Sequence, residues 1–343
     1  MLSAWLPVAG STLLAGAIPE TLLSPPVENG PCVVRAQFQL QDINSIDDEP
    51  ETFEFTGVLV LSWKDPRQAF DPKVAGVQEK IYQGDHQFNE VSPVWYPQVV
   101  LANESGLYES DAVILRLQPD GTSTLISTIN AVAETDFNMR RYPFDSQRLE
   151  AVFELIGFNA GEVVLEAGPC DKDRPIHVSQ WELSGIETAI RNRESIVVGS
   201  SGKSSEFVVA FNVQRDPIFT LRLVGLPLAL IVMLSWSVFW MERSSLGDRI
   251  SVSFVGILTA VAYQIVVGDL LPHVSYITVM HAFLNFSFFV MCGTVVINLI
   301  VGACDKNGKH ALGELIDRRC RWIFPLAYLG LLSVVAVIAI VVF

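Results

Sequence analysis

The chain has 343 residues, half of them hydrophobic, with a positive mean hydropathy and a formal net charge of −14. That apolar share excludes an ordinary soluble domain, and the acidic balance leaves no basic surface for a phosphate backbone, so no nucleic-acid partner is expected. The charge is divided unevenly: residues 1–216 carry a net −16 and residues 217–343 a net +2, so an acidic, soluble-looking half precedes a nearly neutral apolar one.

In chain order, residues 1–32 form an N-terminal segment. Its first 19 residues are apolar and end in Ala15-Gly16-Ala17 but lack a basic start, so a signal peptide and an ordered extension both stay open. Residues 33–216 read as an all-β, immunoglobulin-like sandwich. Strands are predicted at 52–63, on both sides of the turn Pro119-Asp120-Gly121 within 112–131, and at 207–213. The boundary at Arg215-Asp216-Pro217 has no linker, so the last strand runs straight into a helix.

Residues 217–343 read as an all-α, four-helix transmembrane domain, with spans near 218–240, 250–270, 276–302 and 322–343. Each can cross a hydrocarbon core of about 30 Å. Arg243 and Arg249 lie in the first connection, and Lys306, Lys309, Arg318, Arg319 and Arg321 in the third; the 271–275 connection has neither Lys nor Arg. The first and third connections are therefore expected in the cytoplasm. A multi-pass protein of the plasma (inner) membrane follows, with the N-terminal domain and the C-terminus outside.

Features suggestive of chemistry are weak. "GSSGKSS" (199–205) has Val197 where a phosphate-binding loop needs glycine, and a strand follows it rather than a helix. The five histidines (86, 177, 273, 281, 310) are scattered, so neither a metal nor a nucleophilic site is indicated, and no cofactor is expected. Cys32 and Cys170 share the external half; an oxidising compartment would allow them to pair, but nothing in the sequence brings them together.

Three stretches carry a resemblance. Tyr142-Pro143-Phe144-Asp145-Ser146-Gln147 resembles the aromatic-Pro-Phe-Asp-x-Gln signature of the pentameric ligand-gated ion channels, the Cys-loop receptor superfamily. Trp95-x-Pro97 with Asn103, and Trp63-x-Asp65-x-Arg67, stand at family spacing, followed by Arg215, Pro227 and "SWSVFWMERSSLGDRISVSF". The resemblance runs from about residue 33 to 343. Thr135 and Leu149 occupy the places of the two cysteines that bracket the signature in animal members. The eponymous disulfide is thus absent, as in the prokaryotic branch without a large cytoplasmic domain. The resemblance implies a homopentamer around a central pore, not an enzyme.

The second span carries an unusual face. Steps of 4, 3, 4, 3 and 4 from Ser251 give Val255, Leu258, Ala262, Ile265 and Asp269, which share one side of a helix. A helix facing only lipid has no use for the hydroxyl or the carboxylate, whereas several copies around an axis would stack these residues as rings. Asp248 and Asp269 would then form the selectivity rings, and Leu258 and Ile265 an apolar gate that dewets when narrow. The resemblance places Arg249 away from the pore and makes Asp248 the cation-selective acid, since "LGDR" lacks the Pro-Ala insertion of anion-selective members. The permeating ions are expected to be monovalent cations.

The resemblance also maps an agonist pocket to Trp95, Val100, Glu154, Ile156 and Phe158, with the hairpin 191–206. The agonist is a small molecule of unknown identity, or the proton. Coupling between the domains is expected at Asp48, Asp145, Arg215 and Pro272. Membrane lipids complete the partners. A membrane-anchored sensor that binds ligand without conducting is the alternative, although it would not need the polar-ended face of the second span.

Overall fold

A computed structural model of the chain describes residues 24–26, 30–83, 95–172, 175–176, 178–194, 202–242 and 246–341. The first 23 residues, residues 195–201 with the first three of the "GSSGKSS" stretch, and Arg243 lie outside the described residues.

The strands are β1 (Cys32–Asp47), β2 (Thr52–Lys64), β3 (Lys80–Gln83), β4 (Val99–Leu101), β5 (Glu104–Leu117), β6 (Thr122–Glu134), β7 (Ser146–Leu155), β8 (Val163–Lys172), β9 (Trp181–Glu194) and β10 (Lys203–Arg215). They form a six-stranded sheet in the order β3-β5-β6-β2-β1-β8 and a four-stranded sheet in the order β4-β7-β10-β9. Alternation in β2, with Phe53, Phe55, Leu59, Leu61 and Trp63 buried, turns one face of the larger sheet inward. Phe153, Phe207 and Phe211 answer from the smaller sheet, and Phe38 packs 5.7 Å from Phe153 and 6.3 Å from Phe211. The core is so close at this point that a Cβ on Gly57 would overlap the Phe38 ring.

One pairing departs from an all-antiparallel sandwich: β1 and β8 run parallel. That pairing also decides the cysteines. Cys32 stands opposite Val163 and Cys170 opposite Phe38, so the two thiols are six positions apart along the ladder, about 20 Å. Both are free.

The motif Trp63-x-Asp65-x-Arg67 is architectural. Asp65 is fully buried and accepts hydrogen bonds from Arg67 N and Nε (3.1 and 2.8 Å) and from Gln68 Nε2 (2.9 Å). Burial alone would raise its carboxyl pKa, but these donors outweigh it and hold it below the usual range. Asn103 joins strands in the same way, donating to Glu134 O and Glu150 O (both 2.7 Å) and accepting from Val152 N (3.0 Å).

Four helical segments follow: α1 (Pro217–Trp240), α2 (Leu246–Gly268), α3 (Val279–Lys306) and α4 (His310–Val341). Asp216 caps α1 by accepting from Ile218 N (3.0 Å), and Pro217 takes the first helical position, where a missing N–H costs nothing. Among the described residues α1, α2 and α3 are long and apolar enough to cross a membrane. The helix that contains the fourth predicted span begins before it, at His310. Arg318, Arg319 and Arg321 are helical, and only a short connection separates α3 from α4.

α1 is not uniform. Pro227 cannot donate to the Leu223 carbonyl, and the turn before it, Leu221–Gly225, widens to π spacing. The carbonyls of Leu223 and Val224 are taken up by the Tyr263 hydroxyl on α2, at 2.8 and 3.1 Å. In a low-dielectric layer this satisfies groups that would otherwise be costly, and it ties α1 to α2.

Candidate functional site

The predicted face of α2 is open in the single chain. Val255, Leu258 and Ile265 are 63, 70 and 73 % exposed, and Asp248, Ser251 and Ala262 are exposed as well. The opposite side, Arg249, Ser253, Ala260 and Val267, is buried against the other helices. From Asp248 to Ile265 the open face extends about 26 Å. The Ser251 hydroxyl donates to Gly247 O at 2.9 Å, which leaves its oxygen lone pairs free on the open side. Asp269 stands at the limit of the expectation: α2 ends at Gly268, and Asp269 is the next residue, in the turn beyond, exposed and lining the cavity at the domain junction.

At the other end of α2, adjacent residues separate by charge. Asp248 is exposed, while Arg249 has 0 % exposure and forms a two-pronged ion pair with Asp317 of α4. The contacts are NH1–Oδ2 at 3.0 Å and NH2–Oδ1 at 2.7 Å. One turn on, Asn298 of α3 donates to Ser253 Oγ at 2.9 Å. Neither Asp317 nor Asn298 was singled out in the sequence. The available signal was an acid and an amide inside largely apolar runs, where each needs a partner.

The agonist positions drawn from the sequence gather at one end of the smaller sheet. Trp95 packs edge-on to Phe158 at 5.8 Å, and Ile156 N donates to Gln98 O at 2.9 Å. Val100 pairs in register with Glu154. Val100 and Ile156 also line a cavity of about 290 Å³ with Leu59, Leu61 and Tyr108.

Glu154 belongs to a cross-strand row that sequence reasoning missed. Its neighbour on β10 is Glu206, whose own neighbour on β9 is Arg191. Both carboxylates are buried, at 1 and 3 % exposure. Arg191 instead forms a two-pronged bond with Glu150, at 2.8 and 2.6 Å. Burial, and then the facing Glu154, push the Glu206 carboxyl above its ordinary range against the opposing pull of Arg193 and Arg191.

At the foot of the sandwich, Arg215 is 4 % exposed and meets both candidate acids: Nε–Asp145 Oδ1 at 2.9 Å and NH2–Asp48 Oδ1 at 2.7 Å. Its guanidinium also lies over the Trp181 and Tyr142 rings, at 4.1 and 4.8 Å. Burial by itself would lower the Arg215 pKa, but the two carboxylates outweigh it and hold the cation firmly charged. Pro272 and His273 share a cavity of about 300 Å³ with Asp48 and Arg215. The signature loop makes further contacts with the helices. Met280 N donates to Tyr142 O at 3.2 Å, and the Tyr276 hydroxyl accepts from Met139 N at 2.9 Å.

A sandwich whose last strand enters the first of several membrane-spanning helices, with a shared buried arginine at the joint, defines a membrane receptor with an external binding domain. Residues 20–217 match the neurotransmitter-gated ion-channel ligand binding domain, and residues 225–311 match the transmembrane region of the same family. The chain belongs to the neurotransmitter-gated ion-channel family, the pentameric Cys-loop superfamily, whose members are ligand-gated ion channels and not enzymes.

It is similar to a proton-gated ion channel of Gloeobacter violaceus, 26 % identical over 308 residues that cover 89 % of this chain and 82 % of that one. It is similar also to pH-sensitive chloride channel 2 of Anopheles gambiae, 26 % identical over 85 % of this chain and 50 % of the relative. A third relative is the human gamma-aminobutyric acid receptor subunit rho-2, 26 % identical over 88 % of this chain and 63 % of that subunit. The match thus spans between half and two thirds of these two animal relatives.

Proposed function

We propose that the chain forms a homopentameric channel of the bacterial branch, selective for monovalent cations and opened by a ligand or by protons acting on the external domain. The observation that carries this reading is the open face of α2, polar at Asp248 and Ser251 and apolar from Val255 through Ile265, set opposite a side packed into the bundle. Five such faces around an axis would enclose a water path that starts at a ring of carboxylates and narrows at rings without oxygen. Relatives of this chain include a proton-gated channel and a chloride channel. The choice of cation therefore rests on Asp248 and on the missing insertion before Arg249.

Protons as a stimulus are supported by the buried Glu154–Glu206 row beside the mapped agonist positions. Lowering pH would neutralise the Glu206 carboxyl, which faces Glu154 across the strands. Reversal potentials of the purified protein in bilayers, under a sodium chloride gradient with pH and ligand screens, test the function. Reversal at the sodium potential is expected. Reversal at the chloride potential would overturn the selectivity, and absence of current under every condition would favour the non-conducting sensor.

A further inference from the structure

We propose that Asp317 on α4 is a charge-positioning residue of the ion pathway: its pairing with Arg249 cancels and holds back a cation that would otherwise neutralise the mouth carboxylate Asp248. The inference rests on the reading of Asp248 as the mouth acid.

Asp248 and Arg249 are consecutive, so their Cα atoms stand about 3.8 Å apart. On a helix, consecutive side chains diverge by about 100°, which sends Asp248 to the open face and Arg249 into the bundle. Divergence alone does not remove the arginine's field. A guanidinium keeps its charge at any accessible pH, and its long side chain can turn to reach water when nothing holds it. Asp317 supplies both the hold and the cancelling charge, through two parallel bonds with almost no solvent exposure on either partner. Per subunit, Asp248 and the neutral pair leave one net negative charge at this end of α2. Without the Asp317 carboxylate the sum is zero, and a pentameric ring loses five negative charges. Two other cations of α4 are held elsewhere: Arg318 bonds Glu314 at 3.1 Å, and Arg321 donates to the Phe239 carbonyl at 2.9 Å.

The test uses the full-length channel. Asp317→Asn keeps the size and the hydrogen-bonding shape while deleting the charge. Its reversal potential should move toward that of chloride, with the cation-to-anion permeability ratio lowered about tenfold. Adding Arg249→Gln to Asp317→Asn removes the freed cation and should restore the wild-type ratio. A merely structural pair would reduce expression or current amplitude in both variants without moving the ratio, and an unchanged ratio in Asp317→Asn overturns the proposal. If that variant does not assemble alone, a tagged copy co-expressed with wild type and purified through the tag gives channels that must contain it. Their ratio should fall, and the wild-type ratio in those channels overturns the proposal equally. Wild-type reversal at the chloride potential would remove the cation reading instead, while the direction of the Asp317→Asn shift would still decide the role of the pair.

Discussion

Glu206 shows how much a single residue owes to its neighbours. Nothing in "KSSEFVVAF" separates it from a solvated glutamate on a strand, yet the β7–β10 register sets it against Glu154, and both are shielded from water. Because its folded pKa is raised, the favourable neutral form is complete below the unfolded value near 4.5 and is lost as pH rises through the folded value. The wild-type external domain should therefore lose thermal stability on going from acid to neutral pH through this group. Glu206→Gln should flatten that part of the profile and weaken any acid-evoked current. A melting profile of the variant that tracks the wild type across this range would count against the pair. Asn103 is a contrasting case, a polar residue that motif spacing singled out but whose three hydrogen bonds only the fold supplied.

At the scale of the element, α2 was the most legible part of the chain, because its periodicity is a local property. The steps from Ser251 to Ile265 describe a face that the fold leaves open. The spacing continued through Asp269, but the helix does not: it stops at Gly268, where the chain turns toward Pro272. Periodicity cannot register a terminus. If Leu258 rings the narrowest apolar zone, Leu258→Ser places a hydroxyl where water must condense. The agonist midpoint should fall by about tenfold, or current should flow without agonist, as measured by voltage clamp at matched surface expression. Unchanged gating would assign the constriction to another ring. The start of α4 was misjudged for a related reason. A cluster of basic residues suggested a connection, whereas Asp317 meets Arg249 and Arg321 meets Phe239 O, and these contacts draw the stretch into the helix bundle.

Across the whole molecule, motion of the sandwich can reach the pore only through the junction. Arg215 precedes α1 by two residues, is held by Asp145 of the signature loop and Asp48 of the β1–β2 loop, and stands beside the turn that follows α2. A pair that is equally strong in closed and open states shifts nothing, so a coupling role requires the bonds to differ between them. Double-mutant cycles of Arg215 with Asp145 and with Asp48, read on the agonist midpoint, should give interaction energies of about 1–3 kcal/mol in at least one cycle. Arg215→Ala should reduce assembly or gating while leaving the conductance of surviving channels near normal. Additivity in both cycles would show that the ion pairs are static supports.

Much of this was written in the chain. The apolar spans, the charge divide at residue 217, the lack of a linker there and the open face of α2 depend on local composition and period, and those survive in one dimension. The motifs around Trp63, Trp95 and Tyr142 pointed to the family because their order along the chain is itself linear information. The parallel pairing of β1 with β8, the separation of Cys32 from Cys170, the facing of Glu206 with Glu154 and the joining of Arg249 to Asp317 were decided by tertiary structure. Each depends on strand order, register or helix rotation, through which residues tens of positions apart come within a few ångströms of one another. Burial then makes those contacts matter, because a charge removed from water must find its partner wherever the fold has placed it.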